Sequence, residues 1–171
     1  MNKEILATVE STITALIQLV DSFKPEHFNR VPFEGSWTPA QVSDHIGKSL
    51  SAIAGVMKGA ANATARPAGK KNEMIKSFLL DFDTKMSAPD FIIPSNAILE
   101  KESMVQSLKT ITLNLVEAVK TMDLSEICIS FELPGVGKFT KYEWAHFAVY
   151  HTQRHLHQLR NIQESLATAN H

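Results

Sequence analysis

Ala145-His-Phe-Ala-Val-Tyr-His-Thr-Gln-Arg-His-Leu-His-Gln-Leu-Arg-Asn-Ile162 carries two histidines, His151 and His155, one helical turn apart. At about 100° per residue, an i,i+4 pair lies only ~40° apart on a helix, so both imidazoles aim at one point. They share a face with Phe147, Ala148, Leu159 and Ile162, the apolar side of the segment. Two imidazoles on one rigid element suit a metal ion, because little further ordering is needed to bind it. A third nitrogen must come from another element. The best-placed source is His45, in Ser36-Trp-Thr-Pro-Ala-Gln-Val-Ser-Asp-His-Ile46.

Working outward, the segment is predicted to be the last of four long helices. It opens at Thr140-Lys-Tyr-Glu143, a Ser/Thr-x-x-Glu capping box, and runs to about Leu166. The first helix spans about 3 to 22, with Leu6, Val9, Ile13, Leu16, Ile17 and Val20 on one stripe. Lys24-Pro25 and the run to Ser36 form a connection that includes His27. The second helix opens at Thr38-Pro39-Ala40-Gln41, where threonine caps, proline takes the first helical position and glutamine closes a capping box. Its stripe of Val42, Ile46, Ile53, Val56 and Met57 turns His45 inward.

Between Gly59 and Asn72 the pattern reads as a loop, followed by a short helix over Met74–Phe82 and an irregular passage between Pro89 and Pro94. The third helix carries Met104, Leu108, Ile111, Leu115 and Val119 and starts between Leu99 and Ser103. Ile127–Leu133 alternates with period two before Pro134-Gly-Val-Gly137, which reads as an extended crossover or short hairpin. Four amphipathic helices too narrow in their apolar stripes to stand alone bury them against one another. The predicted fold class is all-α, a four-helix bundle, with residues 1–171 as one domain.

Composition narrows the function. The 171 residues are 44% hydrophobic and 20% charged, with a formal net charge of −1. No basic block exists to neutralise phosphates, so nucleic acid is not an expected partner. No stretch reaches 18 apolar residues and the N-terminus is amphipathic, so no membrane association is expected. Cys128 is the single cysteine, which fits a reducing compartment and a cytoplasmic location.

Other chemistries fit less well. A dinuclear iron bundle needs two Glu-x-x-His motifs, and the single one here, Glu143 to His146, points away from His151. The zinc-protease His-Glu-x-x-His motif is absent, since Thr152, Gln153 and Arg154 separate the pair. Cys128 reads as a small apolar filler and no glycine-rich phosphate loop follows a strand. His146 and His157 lie more than about 100° from the His151 direction and read as solvated. Asp44 sits ~100° round from His45. Arg154, ~60° from His151, is placed either to hold an anion or to pack and pair locally. Against the metal stands the ordinary alternative of core histidines satisfied by carbonyls or by one another.

Two motifs, Trp37-Thr-Pro-x-x-Val-x-Asp-His45-Ile and Glu143-x-x-x-Phe-x-x-Tyr-His151-x-x-Arg-His155-x-x-Gln158-Leu, resemble the two signatures of the DinB/YfiT-like metalloenzymes. The order and separation of the halves also match, and the resemblance spans nearly the whole chain. It implies an up-down-down-up bundle holding one divalent metal on His45, His151 and His155, with His157 an additional histidine outside the ligand set. Zinc, nickel and iron all suit neutral imidazoles. Characterised members of similar families transfer low-molecular-weight thiols such as bacillithiol or isomerise thiol adducts. The expected function is therefore a metal-dependent transferase or hydrolase acting on a small-molecule substrate, a low-molecular-weight thiol among the possibilities. The alternative is a non-catalytic metal-binding stress protein or small-molecule-binding bundle. No general acid or base is identifiable, and a homodimer is the assembly kept open.

Overall fold

A computed structural model describes residues 2–168. Six helices follow in order: α1 (Asn2–Asp21), α2 (Pro25–Phe28), α3 (Pro39–Lys58), α4 (Asn72–Leu79), α5 (Lys101–Thr121) and α6 (Lys141–Thr168). The four long ones form the bundle. α1 and α3 each pack against both α5 and α6, which places α1 and α3 across a diagonal.

Local chemistry fixes where the long helices begin. Thr38 Oγ1 accepts from the Gln41 N–H (3.1 Å) while Gln41 Oε1 accepts from the Thr38 N–H (3.0 Å), the reciprocal pairing of a capping box. Thr140 and Glu143 repeat it at α6, with 3.1 Å and 2.9 Å bonds. α5 has no side-chain cap. Its start is set instead by Asn29, whose side-chain amide bonds both the N–H and the C=O of Leu99 (3.0 and 2.9 Å).

Contacts between helix ends give the directions. Lys101 at the start of α5 pairs with Asp21 at the end of α1, so these two run antiparallel. Gln163 near the end of α6 donates to Ser22 just beyond α1, so those run parallel. Gly47 faces Leu108 and Ile111, and Lys58 reaches Asn114, so α3 and α5 run the same way. The bundle is up-down-down-up. Its core alternates the stripes Ile5, Val9, Leu16 and Val20 of α1, Val42, Ile46, Leu50 and Met57 of α3, Leu108, Leu115 and Val119 of α5, and Leu156, Leu159 and Ile162 of α6. No helix is long and apolar enough, among the described residues, to cross a membrane.

The connections differ in detail from the sequence reading. The first holds a one-turn helix, α2, that buries Phe28 and His27. The loop after α3 contributes a two-residue strand, β1 (Ala61–Asn62), antiparallel to β2 (Ile127–Cys128). Beyond β2 a tight hairpin closes with the Leu133–Gly137 bridge, and Gly135 and Gly137 take positive φ (76° and 82°), where a side chain would be strained.

Two straps fasten the long connections to α6. Glu143, fully buried, accepts both guanidinium nitrogens of Arg66 (2.9 and 2.7 Å) and the backbone N–H groups of Lys71 (2.8 Å) and Thr140. A buried carboxylate is tolerated because every lone pair is used. Arg154 donates to the carbonyls of Leu79 (3.2 Å), Asp81 (2.6 Å) and Thr84. The far end of that segment is held on α3, where Asp44 accepts from the Ser95 N–H (2.7 Å) and Lys48 donates to Ile93 O (2.9 Å). Residues 80–97 thus arch from α6 to α3, with a 3-10 turn at Asp90–Ile92.

Candidate metal centre

His45 lies in the second turn of α3, which the Thr38 cap has already fixed, and His151 and His155 lie in the middle of α6. All three are buried. The antiparallel packing of α3 on α6 brings their rings together. His45 Nε2 and His155 Nε2 are each 3.3 Å from His151 Nε2, and one nitrogen of each ring lies within 4.8 Å of the others. Zinc bonds imidazole nitrogen at about 2.0–2.1 Å, so two ligands of a tetrahedral ion are about 3.4 Å apart. The observed spacing fits that edge.

The outer nitrogens decide which lone pairs face inward. His45 Nδ1 lies 2.8 Å from the Ile92 carbonyl oxygen, and His155 Nδ1 lies 2.7 Å from Gln158 Oε1. Both oxygens only accept, so both Nδ1 atoms carry the proton and both Nε2 atoms present lone pairs. This is the arrangement in which a metal-bound histidine donates its other N–H to a positioning group. A bare cluster would leave three nitrogens converging with at most one proton on His151 Nε2 between them. A cation satisfies all three, so the residues fit a metal. His151 Nδ1 has no hydrogen-bond partner among the described residues, and its ring is instead fixed by stacking on Phe147 at 5.8 Å.

Electrostatics keep the rings neutral, the form that binds metal. Burial holds the His151 imidazole well below its ordinary value, and the neighbouring His155 and His45 rings push the same way. Burial also brings His155 down to about 4. His45 is lowered by burial too, against opposing help from the Ile92 carbonyl and Asp44.

No fourth protein donor joins the cluster among the described residues. Cys128 is fully buried and desolvation raises its thiol to about 11, the behaviour of an inert filler. Glu143 is committed to Arg66 and Asp44 to Ser95 and Lys48. The open side of the histidines faces a trough of about 1090 Å3 whose wall includes Trp37, Phe91, Phe131, Phe147 and Gln158. The Trp37 ring lies 5.1 Å from that of His45.

Arg154 and His157 take places the sequence allows, and His146 does not. Arg154 lines the trough, yet its guanidinium is occupied by three carbonyls, which makes it a strap and not an anion holder. His157 is exposed and stacks on Phe82 at 4.3 Å. His146 is not solvated as its direction suggested. It is half-buried between Tyr142 and Tyr150, and neither ring nitrogen has a hydrogen-bond partner among the described residues. The helical wheel pointed it away from His151 correctly but could not show that α1 and α4 cover that side of α6. His171 lies outside the described residues. The positioning roles of Gln158 and Ile92 emerge only in the folded structure. Gln158, three residues after His155, carried a helical-neighbour signal, whereas a backbone carbonyl 47 positions from His45 carried none.

Comparison with known proteins agrees with this architecture. The chain is 22% identical over 144 residues to the uncharacterized protein YuaE of Bacillus subtilis (strain 168), covering 84% of this chain and 88% of that one. The crystal structure of TT2238, a four-helix bundle protein, superposes with a TM-score of 0.60 at 20% identity, covering 94% of this chain and 99% of that one. At that identity the likeness speaks for the fold alone. The DinB superfamily profile matches residues 8–159, a stretch that contains both histidine-bearing helical segments, and the chain belongs to that superfamily.

Proposed function

We propose that this chain is a metal-dependent enzyme whose three-histidine centre takes the anionic head of a small molecule, a thiolate foremost, at its open coordination side, for thiol-dependent transfer or hydrolysis. The observation that carries this reading is the convergence of three buried, neutral Nε2 atoms on a point that no fourth donor among the described residues closes and that opens into the trough. A structural site is closed by four protein ligands, whereas a catalytic one keeps a position for water or substrate. A divalent ion there, with zinc, nickel and iron all suited to imidazole, would supply Lewis acidity that lowers the pKa of a bound water or thiol.

The chain's own groups prepare that position. Ile92 O and Gln158 hold two rings in the tautomer that ligates. Trp37 and Phe147 flank His45 and His151 and keep bulk water off them. Glu34 is the single carboxylate on the trough wall among the described residues, so activation of the nucleophile falls to the centre itself more than to a neighbouring base. Three neutral ligands leave a divalent ion its full charge, which favours an anion opposite them.

Cobalt substitution tests the reading. Adding a small thiol to the cobalt protein is expected to produce a thiolate charge-transfer band and to change the visible spectrum, and the natural-metal form should conjugate thiols to electrophiles or hydrolyse a test ester. A cobalt spectrum indifferent to thiols and other anions would overturn the open position. A thiol band without turnover of any electrophile or ester would leave a metal-dependent binding protein in place of an enzyme.

A further inference from the structure

The trough is not uniform along its length. It follows one stripe of α6 from Trp144 through Phe147, His151, His155 and Gln158 to Ile162, about 27 Å at 1.5 Å per residue, with the three histidines near its middle. The half toward Gln158 and Asn161 is mixed, with Glu34, Ser36 and Lys85 on its wall. Ser165 reaching the Pro32 carbonyl (3.4 Å) sets the 32–36 stretch at that end. The half toward Trp144 has a different character. Phe131 lies 5.9 Å from Trp144 and 6.2 Å from Phe91, ring to ring, while Leu133 and Phe147 complete the wall. Phe91 is 60% exposed, a large ring that the core does not account for. The single side-chain polar atom these five residues offer, Trp144 Nε1, is buried and has no hydrogen-bond partner among the described residues.

A polar body lying against these five side chains would give up its water hydrogen bonds and receive little from them in exchange. A hydrocarbon one would leave water at no such cost and gain from every methylene buried. Its head would meet a centre whose three ligands are all neutral, which calls for a negative donor. We propose that the molecule this centre takes has a hydrocarbon or aryl body, seated against Phe91, Phe131, Leu133, Trp144 and Phe147, behind a single anionic, metal-ligating head. This rests on the metal reading above and specifies its substrate class.

A homologous series of straight-chain thiols, from ethanethiol to octanethiol, titrated into the cobalt-loaded protein separates the two. Affinity read from the thiolate band should rise about fourfold per methylene through the middle of the series. A terminal hydroxyl, as in 6-mercaptohexanol, should weaken binding at least tenfold relative to hexanethiol. In a Phe91→Ala, Phe131→Ala double variant the gain should fall below twofold per methylene. Leu113→Ala, on the exposed face of α5, should keep the wild-type gradient. Equal binding of ethanethiol and hexanethiol, or an undiminished gradient in the double variant, would overturn the substrate class and leave the metal site standing. No cobalt uptake, or no band with any thiol, would instead count against the metal reading. The aromatic half is then judged in metal-free protein with the fluorescent probe 8-anilinonaphthalene sulfonate, whose binding must drop in the double variant. Unchanged probe binding would overturn the proposal.

Discussion

Gln158 does for His155 what Ile92 O does for His45: it fixes the proton on Nδ1 and so frees Nε2. Loss of such a partner commonly lowers metal affinity 10- to 100-fold. Gln158→Ala is expected to weaken metal binding within about that range in competition with a chelating dye, with helicity unchanged. His157→Ala, one position away but stacked on Phe82, should leave affinity as it is. The same burial that keeps the rings neutral sets a pH dependence in the metal-free protein. His155 falls from 6.5 to about 4 on folding, and His151 falls well below 6.5. Below pH 6.5 the unfolded chain therefore takes up protons that the folded one refuses, and stability drops as pH falls toward about 4. Each such histidine costs up to about 1.4 kcal/mol per pH unit over that window. Urea midpoints of the metal-free protein at pH 7.5 and pH 5 measure it. Equal midpoints would show that the rings charge freely inside the fold.

At the level of elements, the 80–97 arch couples the outside of the bundle to the centre. It begins under Arg154 on α6, ends on Asp44 and Lys48 of α3, and carries between them the Ile92 carbonyl that orients His45. Arg154→Ala removes the donor shared by three carbonyls and should loosen the arch without opening the core, since those carbonyls lie at the last residue of α4 and in the connection after it. Two results are expected together. Limited proteolysis should cut within 80–97 faster than in the parent, and metal affinity should fall severalfold because His45 loses a fixed partner. Faster cutting with unaltered metal affinity would uncouple the arch from the site.

For the whole molecule, the question is whether the metal builds the fold or occupies it. The four stripes interdigitate through fully buried residues such as Leu16, Ile46, Leu50, Leu108, Leu115 and Leu159, and the chain is long enough to bury a core without a staple. Chelation is therefore expected to leave the helical circular dichroism at 25 °C intact and to lower the melting temperature by on the order of 10 °C, the loss of a ligand that binds only the folded state. Collapse of helicity on chelation would make the metal a folding element, as in a zinc finger.

Much of this was written in local sequence. The four long helices, the capping boxes at Thr38–Gln41 and Thr140–Glu143, and the shared inward face of His151 and His155 each follow from residues within one or two turns of one another, where helix geometry fixes relative directions. The inward direction of His45 was legible because its stripe and its cap set its phase, while its meeting with the pair across 106 positions came from the packing of α3 on α6. What tertiary structure alone decided were contacts between distant positions that no periodicity encodes. The pairing of β1 with β2, the burial of His146 between Tyr142 and Tyr150, the capture of Arg154 by the 79–84 carbonyls and the use of Ile92 O to orient His45 all depend on how connections lie across the bundle. A helix announces which side faces in. It does not announce which loop will cover the other side, because a loop's path is set by the backbone groups it must satisfy after the helices have packed.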